Sequence, residues 1–102
     1  MEQRESSRQL ADMDVVIDYR GLGMIRGRAL NISKGGMFVE TGRIRLPMHA
    51  AVDAALIAIG SRPRALRFKA VVVQQGTAGV GLRISQMDED AEVFLSQLAE
   101  QS

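Results

Sequence analysis

Two groups of residues in this chain have types and spacing that could bind a ligand. The first is the run at residues 31–36, which reads Asn-Ile-Ser-Lys-Gly-Gly and lies between two strand-like segments. Asn and Ser carry short polar side chains that bond either to nearby backbone or to a ligand. Gly35 and Gly36 can adopt positive φ and leave no side chain between the backbone and a bound group. Taken alone, the run also fits an ordinary tight turn, because these are common turn residues.

The second group is the arginine pair Arg4 and Arg8, which lies just before the first strand-like segment. A guanidinium presents a planar fork of donors that matches phosphate oxygens and the O6/N7 edge of guanine. Taken alone, such a pair fits a solvated tail. The order of the two groups, RxxxR followed by NxSxxG about one hairpin later, is the informative feature of the sequence.

The composition sets bounds on the kind of protein. The chain has 102 residues, 46% of them apolar and 4% aromatic, which predicts one small domain with an aliphatic core. There is no cysteine, so disulfides and thiolate metal sites are excluded. The net charge of +1 is unlike that of a DNA-binding domain.

No apolar run approaches the length of a membrane span, and the N-terminus lacks the apolar core of a signal peptide. We therefore expect a cytoplasmic protein without membrane insertion.

Alternating apolar residues bounded by glycines predict strands and turns. The pattern places six strands at residues 15–19, 24–32, 37–41, 52–59, 65–75 and 80–84. The alanine-rich fourth segment fits a helix or a strand, and the nearby Pro47 and Pro63 favour a strand. Residues 88–99 change to a helical spacing, with Phe94, Leu95 and Leu98 on one apolar stripe and Asp88 as the N-cap.

These elements predict a mainly β fold, a small six-stranded antiparallel β-barrel with a C-terminal α-helix packed across it. Residues 13–102 form this single domain, and residues 1–12 form a flexible N-terminal segment that carries Arg4 and Arg8. Met24, Met37 and Met48 are expected to fill gaps in the core, with an adaptable binding surface as the alternative.

The two motifs together resemble those of the PilZ family, bacterial receptor domains for the second messenger cyclic di-GMP. Residues 4–8, Arg-Glu-Ser-Ser-Arg, match the RxxxR motif of that family, and residues 31–36 match its [D/N]xSxxG motif. Residues 79–84 resemble a glycine-containing strand late in the domain. The resemblance covers nearly the whole chain, and the strand order and terminal helix agree with it.

The resemblance implies that cyclic di-GMP is bound by Arg4, Arg8, Asn31, Ser33, Gly35 and Gly36. The arginines would clamp phosphate oxygens or a guanine edge, and the amide and hydroxyl would bond a guanine. The glycine at the end of the motif would let the ligand lie against the backbone. The resemblance leaves open whether one ligand or an intercalated pair is bound.

The implied function is that of a receptor or adaptor, which changes conformation on binding cyclic di-GMP and signals through an unidentified effector protein. Control of motility, adhesion and biofilm, surface polysaccharide or virulence is the expected output. The chain is expected to act as a monomer or a homodimer. The alternative is a ligand-independent adaptor that binds protein, and the intact motifs argue against it. A barrel that binds single-stranded nucleic acid needs a basic groove and stacking aromatics, so neither DNA nor RNA is an expected partner.

Nothing in the sequence indicates an enzyme. There is no phosphate-binding glycine loop of a nucleotide hydrolase and no serine in a nucleophile elbow. His49 is the single histidine, and without cysteine it does not make a metal site, so it is expected in a loop or on the surface. We expect no cofactor besides the cyclic di-GMP ligand.

Overall fold

A computed structural model describes residues 13–33, 35–58 and 64–101. The predicted N-terminal segment, with Arg4 and Arg8, lies outside these residues. The described elements are the strands β1 (Met13–Tyr19), β2 (Gly23–Leu30), β3 (Gly36–Glu40), β4 (Ala51–Ala58), β5 (Arg64–Gln75) and β6 (Gly79–Met87), and the helix α1 (Glu89–Gln101). No helix in this part of the chain has the length and apolar character needed to cross a membrane.

The strands form a closed barrel in the order β1-β2-β3-β6-β5-β4, and every neighbouring pair is antiparallel. The predicted six-stranded antiparallel barrel is therefore confirmed. Neighbouring strands alternate in direction, so the connections lie at two ends of the barrel. The start of β1, the β2–β3 turn and the connection from β6 to α1 share one end, which we call the Met13 end.

The core follows the alternation of the strands, because successive side chains of a strand point to opposite faces. In β5, Leu66, Phe68, Ala70 and Val72 are buried, as their spacing predicted. The largest fully buried side chains are aliphatic: Ile17, Leu56, Val15, Val39, Val72 and Val80. The interior is thus the aliphatic core that the composition predicted.

The helix α1 begins at the predicted cap. An Asp88 Oδ1 oxygen accepts a hydrogen bond of 2.8 Å from the backbone N–H of Ala91, which satisfies one of the free donors of the first turn. Ala91 and Leu95 are buried in the same cluster as the barrel interior, and Phe94 packs against it. The apolar stripe is therefore part of the core at Phe94 and Leu95, and the side chain of Leu98 lies outside the description.

The expectation that the methionines fill the core is wrong for two of the three residues named. Met37 is buried, but Met24 is 73% exposed and Met48 is 47% exposed. The reason at Met24 is the register of β2, which turns Ile25 and Ala29 inward and so places Met24 on the outer face. Met48 lies in the loop between β3 and β4, as does the exposed His49.

Candidate ligand-binding site

The β2–β3 turn at the Met13 end contains the second motif. Asn31 starts it with a φ of 56°, in the left-handed region that asparagine tolerates better than most residues. Gly35 and Gly36 are not among the described residues with positive φ. Among the described residues of the turn, Asn31 and not a glycine therefore has positive φ. The sequence had suggested the glycines for this conformation, because glycine tolerates positive φ.

Ser33 closes the turn onto the start of β3. Its backbone N–H donates to the carbonyl oxygen of Gly36 at 2.9 Å. Its hydroxyl Oγ donates to the same carbonyl at 3.1 Å and accepts from the Gly36 N–H at 3.3 Å. A hydroxyl has one donor and two acceptor lone pairs, so one lone pair of this exposed oxygen remains for a donor outside the turn.

The two glycines of the motif have different surroundings. A Cβ atom at Gly36 would overlap the carbonyl oxygen of Leu82 and lie 3.3 Å from the Cα of Arg83. A Cβ atom at Gly35 would meet nothing within 4 Å. Gly36 is thus required by the contact between β3 and β6, and the space that its side chain would take is filled by backbone. Gly35 is the glycine whose open side faces outward.

Strand β6 places a further guanidinium beside the turn. Arg83 is the register partner of Gly36, and the Ile84 N–H donates to the carbonyl oxygen of Gly35 at 2.8 Å. Arg83 is exposed, whereas Leu82 beside it is buried. Arg83 is not among the binding residues predicted from the sequence. The signal was present, because a charged residue between two apolar ones in a strand is expected to face outward.

A small apolar surface continues from the turn along the outside of the barrel. Leu30 and Phe38 are register partners on β2 and β3, and both are half-buried on the outer face. The Phe38 ring lies over Gly79, where an added Cβ would be 2.9 Å from the ring carbon Cε2. A Cβ atom at Gly79 would also overlap the carbonyl oxygen of Val39, and Gly79 pairs with Glu40 at the end of β3 away from the turn. The Phe38 ring therefore extends from the motif toward the other end of the barrel.

The turn side chains are available to a ligand. Asn31 and Ser33 are both exposed, and the Asn31 amide makes no hydrogen bond to another described residue. Arg4 and Arg8 lie outside the described residues, but the chain enters β1 at Met13, at the same end of the barrel as the turn. The five peptide units from Arg8 to Met13 span at most about 18 Å when fully extended. The connectivity of the chain therefore allows Arg8 to reach the turn.

Comparison with known proteins identifies the class of this barrel. The PilZ domain matches residues 2–101, so the chain belongs to the PilZ domain family. The family is of the cyclic di-GMP-binding type. Its members are binding or adaptor domains and not a catalytic family.

Among solved structures, the chain is similar to one described as the Bacillus subtilis inhibitor of motility (MotI/DgrA). The TM-score is 0.73 at 19% sequence identity, and the match covers 87% of this chain and 46% of that one. The chain thus spans about half the length of that structure, and at this identity the likeness establishes the fold alone. The curated proteins contain no match to this sequence.

Proposed function

We propose that this protein is a receptor for cyclic di-GMP, bound at the Met13 end of the barrel by the β2–β3 turn and by Arg4 and Arg8. The observation that carries the proposal is the family match over residues 2–101, which includes both motifs in the order RxxxR then NxSxxG. The barrel topology supports it, since the start of β1 and the turn lie at the same end of the barrel.

The chemistry of the turn suits a guanine nucleotide. The exposed Asn31 amide offers two donors and an acceptor, and the remaining Ser33 lone pair can accept from a guanine amino group. Cyclic di-GMP also carries two phosphates, for which the guanidinium fork is the best matched side chain. Arg83 adds a third arginine next to the turn, and Leu30 and Phe38 add apolar surface for a base. In this proposal the binding residues are Arg4, Arg8, Asn31, Ser33, Gly35 and Gly36, joined by Arg83.

The proposed signal is a change of surface. A ligand held by both motifs ties the segment before β1 to the turn, and the ordering of that segment costs entropy that the new contacts must exceed. The exposed surface at the Met13 end then differs between the free and the bound protein. An effector protein that contacts this end would distinguish the two states, and the protein itself performs no catalysis.

Motility control is the first output to test. The structural neighbour is described as an inhibitor of motility, which supports that choice over adhesion or biofilm formation. The proposal for this chain is a protein partner in such a pathway, with cyclic di-GMP as the controlling ligand.

Calorimetric titration of cyclic di-GMP into the purified protein tests the proposal, with Arg8→Ala as the variant and Arg20→Ala as the charge-matched control. Arg20 lies in the β1–β2 turn at the other end of the barrel. Loss of one partner of a desolvated charge pair costs about 2–5 kcal/mol, so Arg8→Ala is expected to weaken binding at least about thirtyfold. Arg20→Ala is expected to bind as the parent does.

The fitted stoichiometry distinguishes one bound ligand from an intercalated pair. Cyclic di-AMP, which lacks the guanine O6 and amino groups, serves as the control ligand and is expected to give no heat. Absence of both heat and thermal stabilisation with cyclic di-GMP would overturn the proposal and leave the ligand-independent adaptor as the function to pursue.

A further inference from the structure

A second surface lies on the side of the barrel away from the β2–β3 turn. The outer faces of β1, β4 and β5 form an open groove of about 730 Å³, which we call the β1–β4–β5 groove. In the strand order these strands are opposite β2, β3 and β6. Val16, Ala55 and Ile57 provide half-buried aliphatic side chains in the groove, and Met24 extends its apolar surface at one side.

Two carboxylates lie next to each other in this groove, on β1 and β4. Asp18 on β1 and Asp53 on β4 are register partners, and both are exposed. Neither makes an ion pair or hydrogen bond to another described residue, and the same holds for the side chain of Lys69, the partner of Asp53 on β5. Like charges directly opposite one another in an antiparallel pair are destabilising. The free protein therefore carries a repulsion that an external cation between the two carboxylates would relieve.

The surroundings of the acid pair favour a protein ligand. Met24 is the register partner of Asp18 on β2 and is 73% exposed, so a large adaptable side chain stands beside the carboxylates. Val16 and Ala55 are paired in the next outward-facing row of the same strands. The negative charge of the groove is confined to its β1–β4 side, because Arg67 and Lys69 line the β5 side. A phosphate beside the acid pair would meet two like charges. A cationic side chain flanked by aliphatic ones would satisfy both the charge and the apolar surface.

We propose that the β1–β4–β5 groove docks a basic amphipathic segment of a partner protein, with a Lys or Arg between Asp18 and Asp53 and aliphatic side chains on Val16 and Ala55. Complementary charge of this kind speeds association and fixes the register of the segment, and it weakens as salt rises. The groove is opposite the turn, so this docking does not depend on cyclic di-GMP.

The test is an NMR titration of the ¹⁵N-labelled full chain with two synthetic helical peptides of equal length, one built from Leu and Lys and the other from Leu and Glu. The Leu–Lys peptide is expected to shift the backbone amides of β1 and β4 around Asp18 and Asp53. The double variant Asp18→Asn/Asp53→Asn should weaken this binding at least about tenfold, because the paired charge is lost. The Leu–Glu peptide should give no shifts in the groove.

The control is Glu40→Gln/Glu92→Gln, which removes two exposed carboxylates outside the groove and is expected to change the affinity by less than about twofold. Thermal midpoints of both double variants show that the fold is retained. Equal binding of the two peptides, amide shifts confined to other strands, or full binding by the Asp18→Asn/Asp53→Asn variant would overturn the proposal.

A second copy of the chain is the competing occupant. Sedimentation of the parent and of Met24→Glu over a range of concentrations tests for it. Self-association that Met24→Glu abolishes would overturn the partner-protein proposal and assign the groove to a homodimer. A monomer at all concentrations, together with the charge-selective peptide binding, supports the proposal whether or not cyclic di-GMP binds at the other face.

Discussion

The β2–β3 turn and the β1–β4–β5 groove lie on opposite sides of one barrel. Their residues differ in how much they contribute to the stability of the free protein. In the turn, Ser33 and Gly36 already hold the chain in place, through hydrogen bonds and through the close contact with β6. In the groove, Asp18 and Asp53 hold nothing in place and repel each other. Substitutions of Ser33 and Gly36 therefore risk the fold, whereas substitutions of Asp18 and Asp53 test binding with the fold intact.

Gly36→Ala is expected to have the largest effect on stability. The added methyl group would overlap the carbonyl oxygen of Leu82, so β3 and β6 must separate or shift. Overpacking of this kind costs about 1–3 kcal/mol, and a clash with backbone belongs at the upper end of that range. Urea unfolding followed by circular dichroism measures the loss. A variant as stable as the parent would show that the β3–β6 contact is looser than described.

Gly35→Ala separates ligand binding from folding at the neighbouring position. Nothing lies within 4 Å of the added methyl group and φ is not positive, so the free energy of unfolding should change by less than about 1 kcal/mol. If cyclic di-GMP lies on this side of the turn, its affinity should fall about tenfold, because the methyl group displaces it. Calorimetry on the folded variant measures this. Unchanged affinity would place the ligand elsewhere on the barrel.

Arg83→Ala is expected to weaken cyclic di-GMP binding by about fivefold, a smaller effect than that of Arg8→Ala, because this exposed guanidinium is screened by solvent. The difference from the parent should shrink at high salt. Arg67→Ala, on the groove side, removes the same charge from the other face and should leave the affinity unchanged. Equal effects of the two variants would indicate a general electrostatic attraction and not a contact by Arg83.

Asp18→Asn should have the smallest effect and the opposite sign. Removal of one like charge from the Asp18–Asp53 pair is expected to raise the free energy of unfolding by about 0.2–1 kcal/mol. Asp14→Asn is the matched control. Asp14 faces Arg28 across β1 and β2, so this substitution removes a favourable charge pair and is expected to lower the free energy of unfolding. Destabilisation by Asp18→Asn would show that the carboxylate has a favourable role in the folded protein.

The sequence predicted the barrel because strand alternation and turn glycines are local signals. All six strands were placed, but β6 extends to Met87, three residues beyond its predicted end at Ile84. The additional pairs, such as Phe68 with Met87, depend on β5 and so on contacts distant in sequence. The prediction that Met24 fills the core was wrong for a similar reason. Neither face of β2 is cleanly apolar, so the pairing of β2 with β1 decides which face of β2 turns inward.

The candidate site was only partly predictable. The motif identified Asn31, Ser33 and the two glycines, because their spacing along the chain is characteristic. Which glycine is fixed by packing depends on β6, more than forty residues later, and the sequence alone does not contain that contact. The outward direction of Arg83 could be predicted from the sequence, but its position beside the turn depends on the same β3–β6 pairing. The sequence contains no motif for the groove, because the residues that line it come from five strands and meet only through strand pairing.

Closure of the ring also affects how the protein behaves at high concentration. The pairing of β1 with β4 closes the barrel, so each described strand has a neighbouring strand on both sides, although β2 pairs with β3 only from Arg28 to Leu30. Strand β4 is apolar except for Asp53, and a separated edge of that kind is prone to aggregate. Asp18 and Asp53 lie on the two strands that would become edges if this pairing opened. The same negative charges would repel the opened edges of different molecules, so we expect both carboxylates to oppose aggregation during transient opening.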